Sequence, residues 1–482
     1  MKYSFNLKAV FLLALCFALF FVGVSAQKKR QSKTVVIANL EKDIPNLMKA
    51  ADVPGMSAAL IRDGQIVWSK GFGFSNAETK QAVTNETMFE AASLSKVVFA
   101  YGVLKLVEAG KLDLDVPLNK YLGDNYEIAP DDARIDQITA RRVLSHSAGF
   151  PNWRSPADKY LPINFTPGEK FSYSGEGFVY LSVVVEKITG LALEDFMQKT
   201  VLQPLKMTNS SFMWQDKYKQ NAAFRHDLIG TKLFRNQGKN VNAAASLRTT
   251  AVDYAKFIAA LLNGTGLEKK MLKAMFAPQI RASEKVPQVF WGLGVGLETT
   301  GEGKYFWHWG DQGDTKAYFT ADLRGKNAIV YFADAANGLS ITKEILDDAI
   351  GGTHPAITHL GYARYDDDSD RTLLKAIIER GAAEALKNYQ QQRKQPNAAA
   401  ISGNKINSIG YALLRMKKID DAIEVFKLNT IDFPDSANFW DSLAEGYMTR
   451  GDKEPAIKFY EKSLELDPKN TNAVEQLKKL KP

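Results

Sequence analysis

The chain has 482 residues, too many for one ordinary domain, so two or more folded units are expected. An apolar fraction of 45% and a charged fraction of 24% exclude a disordered chain. The net charge of +8 comes without a basic stripe interleaved with aromatics, which reads as solubility or weak attraction to an anionic envelope and not as nucleic-acid binding.

Residues 1–26 have the order of a secretory signal. Lys2 and Lys8 come first, Ala9 to Val22 is the apolar core, and Val24-Ser25-Ala26 is a small-residue cleavage site before Gln27. An exported protein, periplasmic or secreted, is expected; a retained membrane anchor is the alternative. Cys16, the single cysteine, would leave with the signal, so the mature chain would hold no disulfide. Leu15 is too bulky for a lipoprotein reading of Cys16. Residues 27–34 are polar and basic and are expected to be a disordered lead.

Val35 to Ala51 has helical spacing. Gly55 to Ile61 and Gln65 to Gly71 are two apolar runs joined by Asp63-Gly64, a strong hairpin signal. Phe89-Glu90-Ala91-Ala92-Ser93-Leu94-Ser95-Lys96 then leads into an apolar run to Gly110, which predicts a buried helix. Residues three apart share a helix face, so Ser93 and Lys96 are neighbours. A serine needs an adjacent base to become a nucleophile, and a lysine buried by Val97, Val98 and Phe99 would lose its charge and could be that base. The helix N-terminus adds free N–H groups suited to an oxyanion. Ser-x-x-Lys occurs four times, at Ser25, Ser93, Ser340 and Ser402. Only Ser93 stands between a short apolar lead and a long apolar helix.

Leu112 to about Phe276 reads as mainly helical and loop-rich, with Val179 to Ile188 and Ala251 to Leu262 its clearest helices. Within it Leu144 to Pro151 is a small-residue loop around His146, and Pro167 to Gly175 places Tyr173 in a turn before a helix. Strands return at Gly292 to Leu297, Lys304 to Trp309, Lys316 to Ala321 and Ala328 to Phe332, with His308-Trp309-Gly310-Asp311 ending one of them. Strands at both ends with a helical insert between them make one α+β catalytic unit over residues 35–365. Asp366 to Asp370 is a charge run read as a solvated boundary, and residues 366–402 as a helical linker. Gly403 to Ser436 and Ala437 to Asn470 align at 34 residues, the tetratricopeptide period, so 403–482 is expected to be an all-α repeat domain. Two repeats seldom stand alone, and Thr372 to Leu386 and Thr471 to Leu480 are expected to pack against or cap them. The repeats would form a partner-binding groove or a packing device.

With Ser93, Tyr173 and His308 in this order, the chain resembles the serine β-lactamase and D,D-peptidase superfamily, in its class C-like branch that also holds D-aminopeptidases and esterases. The resemblance covers Val35 to Pro355. The Leu144 loop is similar to that family's "Leu-Leu-Thr-His-Thr-Ser-Gly-Leu-Pro" segment, and Asn242 to Asp253 to its "Gly-Gly-Leu-x-Ser-Thr-x-x-Asp" segment. It implies an antiparallel sheet with a helical insert, and an acyl-enzyme formed on Ser93. Lys96 would be the base, and Tyr173 the proton shuttle, with a phenol pKa lowered by Lys96. The backbone N–H groups of Ser93 and Asp311 would form the oxyanion hole. Ser174, Gly175, Trp309 and Gly310 would border the substrate. His308 stands where many relatives carry the lysine of Lys-Thr-Gly; it would hold an anion if protonated or hydrogen-bond Tyr173 if neutral. His146 would hold its loop.

Three departures bear on substrate. Gly175 replaces the asparagine that holds the substrate amide in β-lactamases, Lys-Thr-Gly is absent, and Asp311 brings a carboxylate to the anion site. Anionic penicillins are therefore expected to be poor substrates, and an amide, peptide or ester acyl group without a matching carboxylate to fit better. No metal or cofactor is implied. The competing reading is a non-catalytic, penicillin-binding-like sensor or scaffold whose repeats carry the function by binding a protein partner.

Overall fold

The computed structural model describes residues 31–123, 128, 132–155, 158–395 and 400–481. The expected signal at 1–26 lies outside them. Among the described residues no helix is long and apolar enough to cross a membrane. The expected lead ends early, because helix α1 runs Lys33–Ala50, with Ser32 accepting the Val35 N–H at its start.

The chain then enters the sheet. Strands β1 (Gly55–Arg62) and β2 (Gln65–Asn76) form the expected hairpin, and Asp63 and Gly64 both have positive φ, the tight turn that matches strand twist. Short strands β3 (Gln81–Ala82) and β4 (Phe89–Glu90) follow, and β4 pairs with β5 (Arg248–Thr249) outside the main sheet. The C-terminal strands are β6 (Ile280–Arg281), β7 (Val289–Trp291), β8 (Gly296–Thr299), β9 (Lys304–Asp311), β10 (Lys316–Asp322) and β11 (Asn327–Ala333). The main sheet is antiparallel in the order β3-β2-β1-β11-β10-β9-β8-β7-β6, so the first hairpin joins the last strand (Ala59 opposite Val330). The strand expected over 292–297 is cut short, because Gly294 at φ +83° turns the chain between β7 and β8.

Every residue of β1 is buried, since both faces of the sheet are covered. Ala59 and Ile61 face a core shared with helices α2 (Ser95–Glu108), α3 (Glu176–Thr189) and α4 (Ala251–Asn263). Met56, Ala58 and Leu60 face a second core shared with α1 and α5 (Thr342–Ala349). The result is three layers, with the helical insert on one side of the sheet.

Beyond it the chain is all helical: α6 (Ser369–Arg380), α7 (Ala382–Gln392), two hairpins α8 (Gly403–Arg415) with α9 (Ile419–Asp432) and α10 (Ala437–Arg450) with α11 (Lys453–Leu466), and α12 (Thr471–Leu480). They share a third core, which also takes in Leu228 and Ile229 from the catalytic unit. The charge run at 366–370 is solvated only in part, with Asp366, Asp367 and Ser369 exposed. Asp368 and Asp370 are buried, and Lys405 of α8 pairs with Asp370 at 2.8 Å.

Candidate active site

β4 delivers the chain to β9 and β10 of the main sheet, and a 3-10 turn over Ala92–Leu94 passes it into α2. Ser93 is half-buried on this turn, and Ala92 before it is forced to φ +46°, a conformation costly for a residue with a side chain. The turn is tied from outside. The Ser95 hydroxyl donates to the Ala92 carbonyl at 2.5 Å and accepts the Leu247 N–H at 3.0 Å, and the Tyr254 hydroxyl donates to the Leu94 carbonyl. Ser95 went unnoticed in the sequence, where a serine beside Ser93 carries no signal of its own.

Lys96 is buried, and its Nζ lies 3.1 Å from Ser93 Oγ and 2.9 Å from the Ala244 carbonyl. Burial pushes the ammonium down to about 7, so an appreciable share is neutral at neutral pH. A neutral amine at hydrogen-bond distance from a serine hydroxyl can take its proton.

Tyr173 also differs from expectation. Its ring lies against Lys96, with Nζ 4.8 Å from the ring centroid, and its buried hydroxyl has no hydrogen-bond partner within bonding geometry. Burial raises the phenol pKa, and proximity to Ser93 offsets only part of that. The phenol is therefore neutral, not ionised by Lys96. Ser174 is not open to a substrate either: it is buried, its hydroxyl donates to the Pro151 carbonyl at 2.7 Å and accepts the Gly177 N–H at 2.9 Å, fastening the first turn of α3. Gly175 begins that turn under Trp153 and Asn152. The expected structural role of His146 has a geometry: its Nδ1 accepts the Ser174 N–H at 3.0 Å, tying the Leu144 loop to the Tyr173 turn.

His308 makes no hydrogen bond to Tyr173. Burial and the nearby Lys96 push its pKa down to about 3, so the ring is neutral, and Nδ1 lies 2.7 Å from the Trp309 carbonyl, which only a protonated nitrogen can satisfy. Nε2 is then a bare acceptor, buried without a partner. Trp309 packs on Tyr173 with ring centroids 4.8 Å apart.

Strand alternation explains the rest of this segment. Phe306 and His308 face the Ser93 side, and Gly310 must be glycine because a Cβ there would lie 2.5 Å from the Ala91 carbonyl oxygen. Asp311 points to the opposite face. Its carboxylate is not the free anion expected at the anion site: Lys316 forms an ion pair with it, the Tyr362 hydroxyl donates to it at 2.6 Å and the Gly313 N–H at 2.9 Å. Burial opposes its charge, but these three partners outweigh burial and hold it ionised. The Asp311 N–H is placed by register. Gln312 donates to the Thr315 carbonyl, so Gln312 and Thr315 are the hydrogen-bonded pair at the end of the β9–β10 hairpin. Bonded and non-bonded pairs alternate, so Asp311 and Lys316 are a non-bonded pair and the Asp311 N–H points away from β10. On that side β8 pairs no further along β9 than Trp307. The sequence did not reveal Lys316 and Tyr362, whose partners lie across a hairpin and 51 residues away.

A buried lysine against a serine at the foot of a long antiparallel sheet is the arrangement of a serine hydrolase-like fold. A profile of the Beta-lactamase family matches residues 40–350, and a Tetratricopeptide repeat profile matches 437–470. The chain belongs to the Beta-lactamase family. It is 24% identical to "Protein flp" of Staphylococcus aureus strain N315 over 213 residues, 40% of this chain and 41% of that one. It is 24% identical to "Putative penicillin-binding protein PbpX" of Bacillus subtilis over 52% of this chain and 65% of that one. The chain thus spans about two fifths of the first of these relatives. Among solved structures, an octameric penicillin-binding protein homologue from Pyrococcus abyssi has the same fold, with a TM-score of 0.57, 23% identity, and coverage of 71% of this chain and 82% of that one.

Proposed function

We propose that this protein is an exported serine hydrolase acting through an acyl-serine intermediate on an ester, amide or peptide bond. The observation that carries this reading is Lys96, buried, titrating near 7 and 3.1 Å from Ser93 Oγ. In the first step Ser93 Oγ bonds to the acyl carbon, its proton passes to Lys96, and the carbonyl oxygen becomes an anion. The N–H groups of Ser93 and Asp311 receive that anion. When the carbon–oxygen or carbon–nitrogen bond breaks, the proton moves from Lys96 through the neutral Tyr173 hydroxyl to the leaving group. Water then attacks the acyl-serine and returns Ser93. Export rests on the order of residues 1–26.

The substrate acyl group lacks a carboxylate partner here. Neutral His308 supplies no cation, and Lys316 is committed to Asp311. Penicillins are therefore weak acylating agents of this site. The repeats fit a protein partner, and a binding protein with a silent site is the second reading.

Intact mass after incubation with a fluorophosphonate and, separately, with a labelled penicillin tests the proposal. One fluorophosphonate adduct per chain, lost in Ser93→Ala, supports the hydrolase, with slower or incomplete penicillin labelling. No adduct with either reagent favours the binding protein.

A further inference from the structure

Gly175 stands where the resemblance implies an amide-recognising asparagine, and a glycine there supplies no side chain of its own. The position is instead filled from outside. A Cβ on Gly175 would lie 2.7 Å from Cη2 and 2.8 Å from Cζ2 of Trp153, so the indole occupies the volume a side chain at 175 would need. Gly175 has φ −77°, an ordinary value, so space and not backbone strain demands glycine there.

The chain on either side of Trp153 is also held in place. On one side of it, the Asn152 side chain accepts the Gly175 N–H at 3.0 Å and its carbonyl accepts the Gly175 and Glu176 N–H groups at 2.9 and 3.1 Å. On the other, Arg154 N–H donates to Glu176 Oε1 at 3.2 Å, and its guanidinium pairs with Glu176 Oε2 at 3.1 Å. Both flanks of Trp153 are thus clamped to the first turn of α3. Yet Trp153 is 49% exposed, so a large apolar side chain on a clamped backbone faces solvent. The same helix end borders the nucleophile: Tyr173 precedes Gly175 by two residues, and the Tyr173 and Phe178 rings lie 4.8 and 5.8 Å from Lys96 Nζ.

We infer that Trp153 is the specificity-determining residue of this site, an aromatic wall that selects substrates carrying a flat apolar group next to the scissile carbonyl. The inference rests on the acyl-serine reading above and deepens it. An indole has one N–H donor and no acceptor, where an asparagine amide has both, and it offers a broad face for a ring, so it exchanges paired amide recognition for aromatic stacking. The clamped backbone on both sides of Trp153 lowers the ordering that binding would require.

The test is a ratio. Phenylacetyl and acetyl esters of the same phenol are compared by kcat/KM in the wild type, Trp153→Ala, Trp153→Phe and Gly175→Ala, each normalised to fluorophosphonate-titrated sites. A parallel pair varies the leaving group, benzyl against ethyl, with one acyl group. Wild type is expected to favour the aromatic member of at least one pair by about tenfold or more. Trp153→Ala removes that preference, Trp153→Phe keeps much of it, and Gly175→Ala, whose Cβ displaces the indole, removes it as well. An aromatic preference that is absent in the wild type, or unchanged in both Trp153→Ala and Gly175→Ala, overturns the inference. A wild type that takes no fluorophosphonate fails the acyl-serine reading instead. The preference is then read by titrating phenylacetate against acetate into the wild type and Trp153→Ala, where equal affinities overturn it.

Discussion

A lysine takes a proton from a serine only when neutral, and burial is what brings Lys96 down to about 7, where an appreciable share is neutral. Activity on an uncharged ester should therefore rise with pH along a limb centred near 7. Lys96→Ala should lower kcat by roughly 10²–10⁴, the usual range for losing a positioned base. A stability effect of opposite sense follows from linkage. In the unfolded chain Lys96 stays protonated up to about 10.5, so the folded state holds fewer protons between about 7 and 10.5. Stability lost to its burial is greatest below 7 and recovers as pH rises through that window. Lys96→Met should therefore be more stable than the wild type at pH 6, by about 2–4 kcal/mol, with the gap closing toward pH 10 in paired denaturant titrations. A constant gap would mean that the lysine titrates elsewhere. The Ser93–Lys96 pair was legible because helical spacing is a local property. The neutral state of His308 and the raised phenol of Tyr173 were not, because they depend on burial by Trp291, Trp309 and other distant residues.

The β9–β10 hairpin shows what an element adds to its residues. Alternation in β9 was visible in the sequence, and it sends the Asp311 side chain to the face opposite Ser93 while its N–H stays on the open edge. What that carboxylate does there was hidden, since Lys316 and Tyr362 reach it from other segments. The pair holds the peptide that would clamp the oxyanion, so Tyr362→Phe should slow fluorophosphonate and ester acylation several-fold with little change in KM. An equal loss in both, or none, would mean that the hydroxyl does not position the strand. Asp311→Gly leaves Lys316, only 6% exposed, without its partner. It should cost about 3 kcal/mol in denaturant unfolding, and penicillin turnover should stay low, because the freed lysine lies on the far face.

At the scale of the molecule, the two units meet through few but specific contacts. The period of 34 made the repeats legible, but not the surface they dock on. The acidic run at 366–370 looked solvated because charge patterning carries no information on what covers it. In the structure Arg371 of α6 donates to the Ala50 carbonyl at 2.6 Å and to Asp52 at 2.8 Å, and Lys375 adds a pair to Asp52 at 2.6 Å. Leu228 and Ile229 pack against the repeat core, and Arg415 reaches Asp227 at 3.5 Å. Tyr362 lies just ahead of this anchor, on the segment that joins the docked helices to Asp311. Arg371 is nearly buried, so its loss strands the Ala50 and Tyr365 carbonyls and leaves Asp52 with Lys375 alone, whereas the other pairs are partly exposed and worth little each. Arg371→Ala should therefore loosen the whole C-terminal half. Limited proteolysis should cut within residues 361–368 at least about tenfold faster, following the higher population of the open form. Labelling at Ser93 should persist but slow, as in Tyr362→Phe, because the same segment steadies the strand proposed to receive the oxyanion. Faster cutting with an unchanged labelling rate would show that the repeats dock without reaching the site, and unchanged cutting would show that Arg371 is not their anchor.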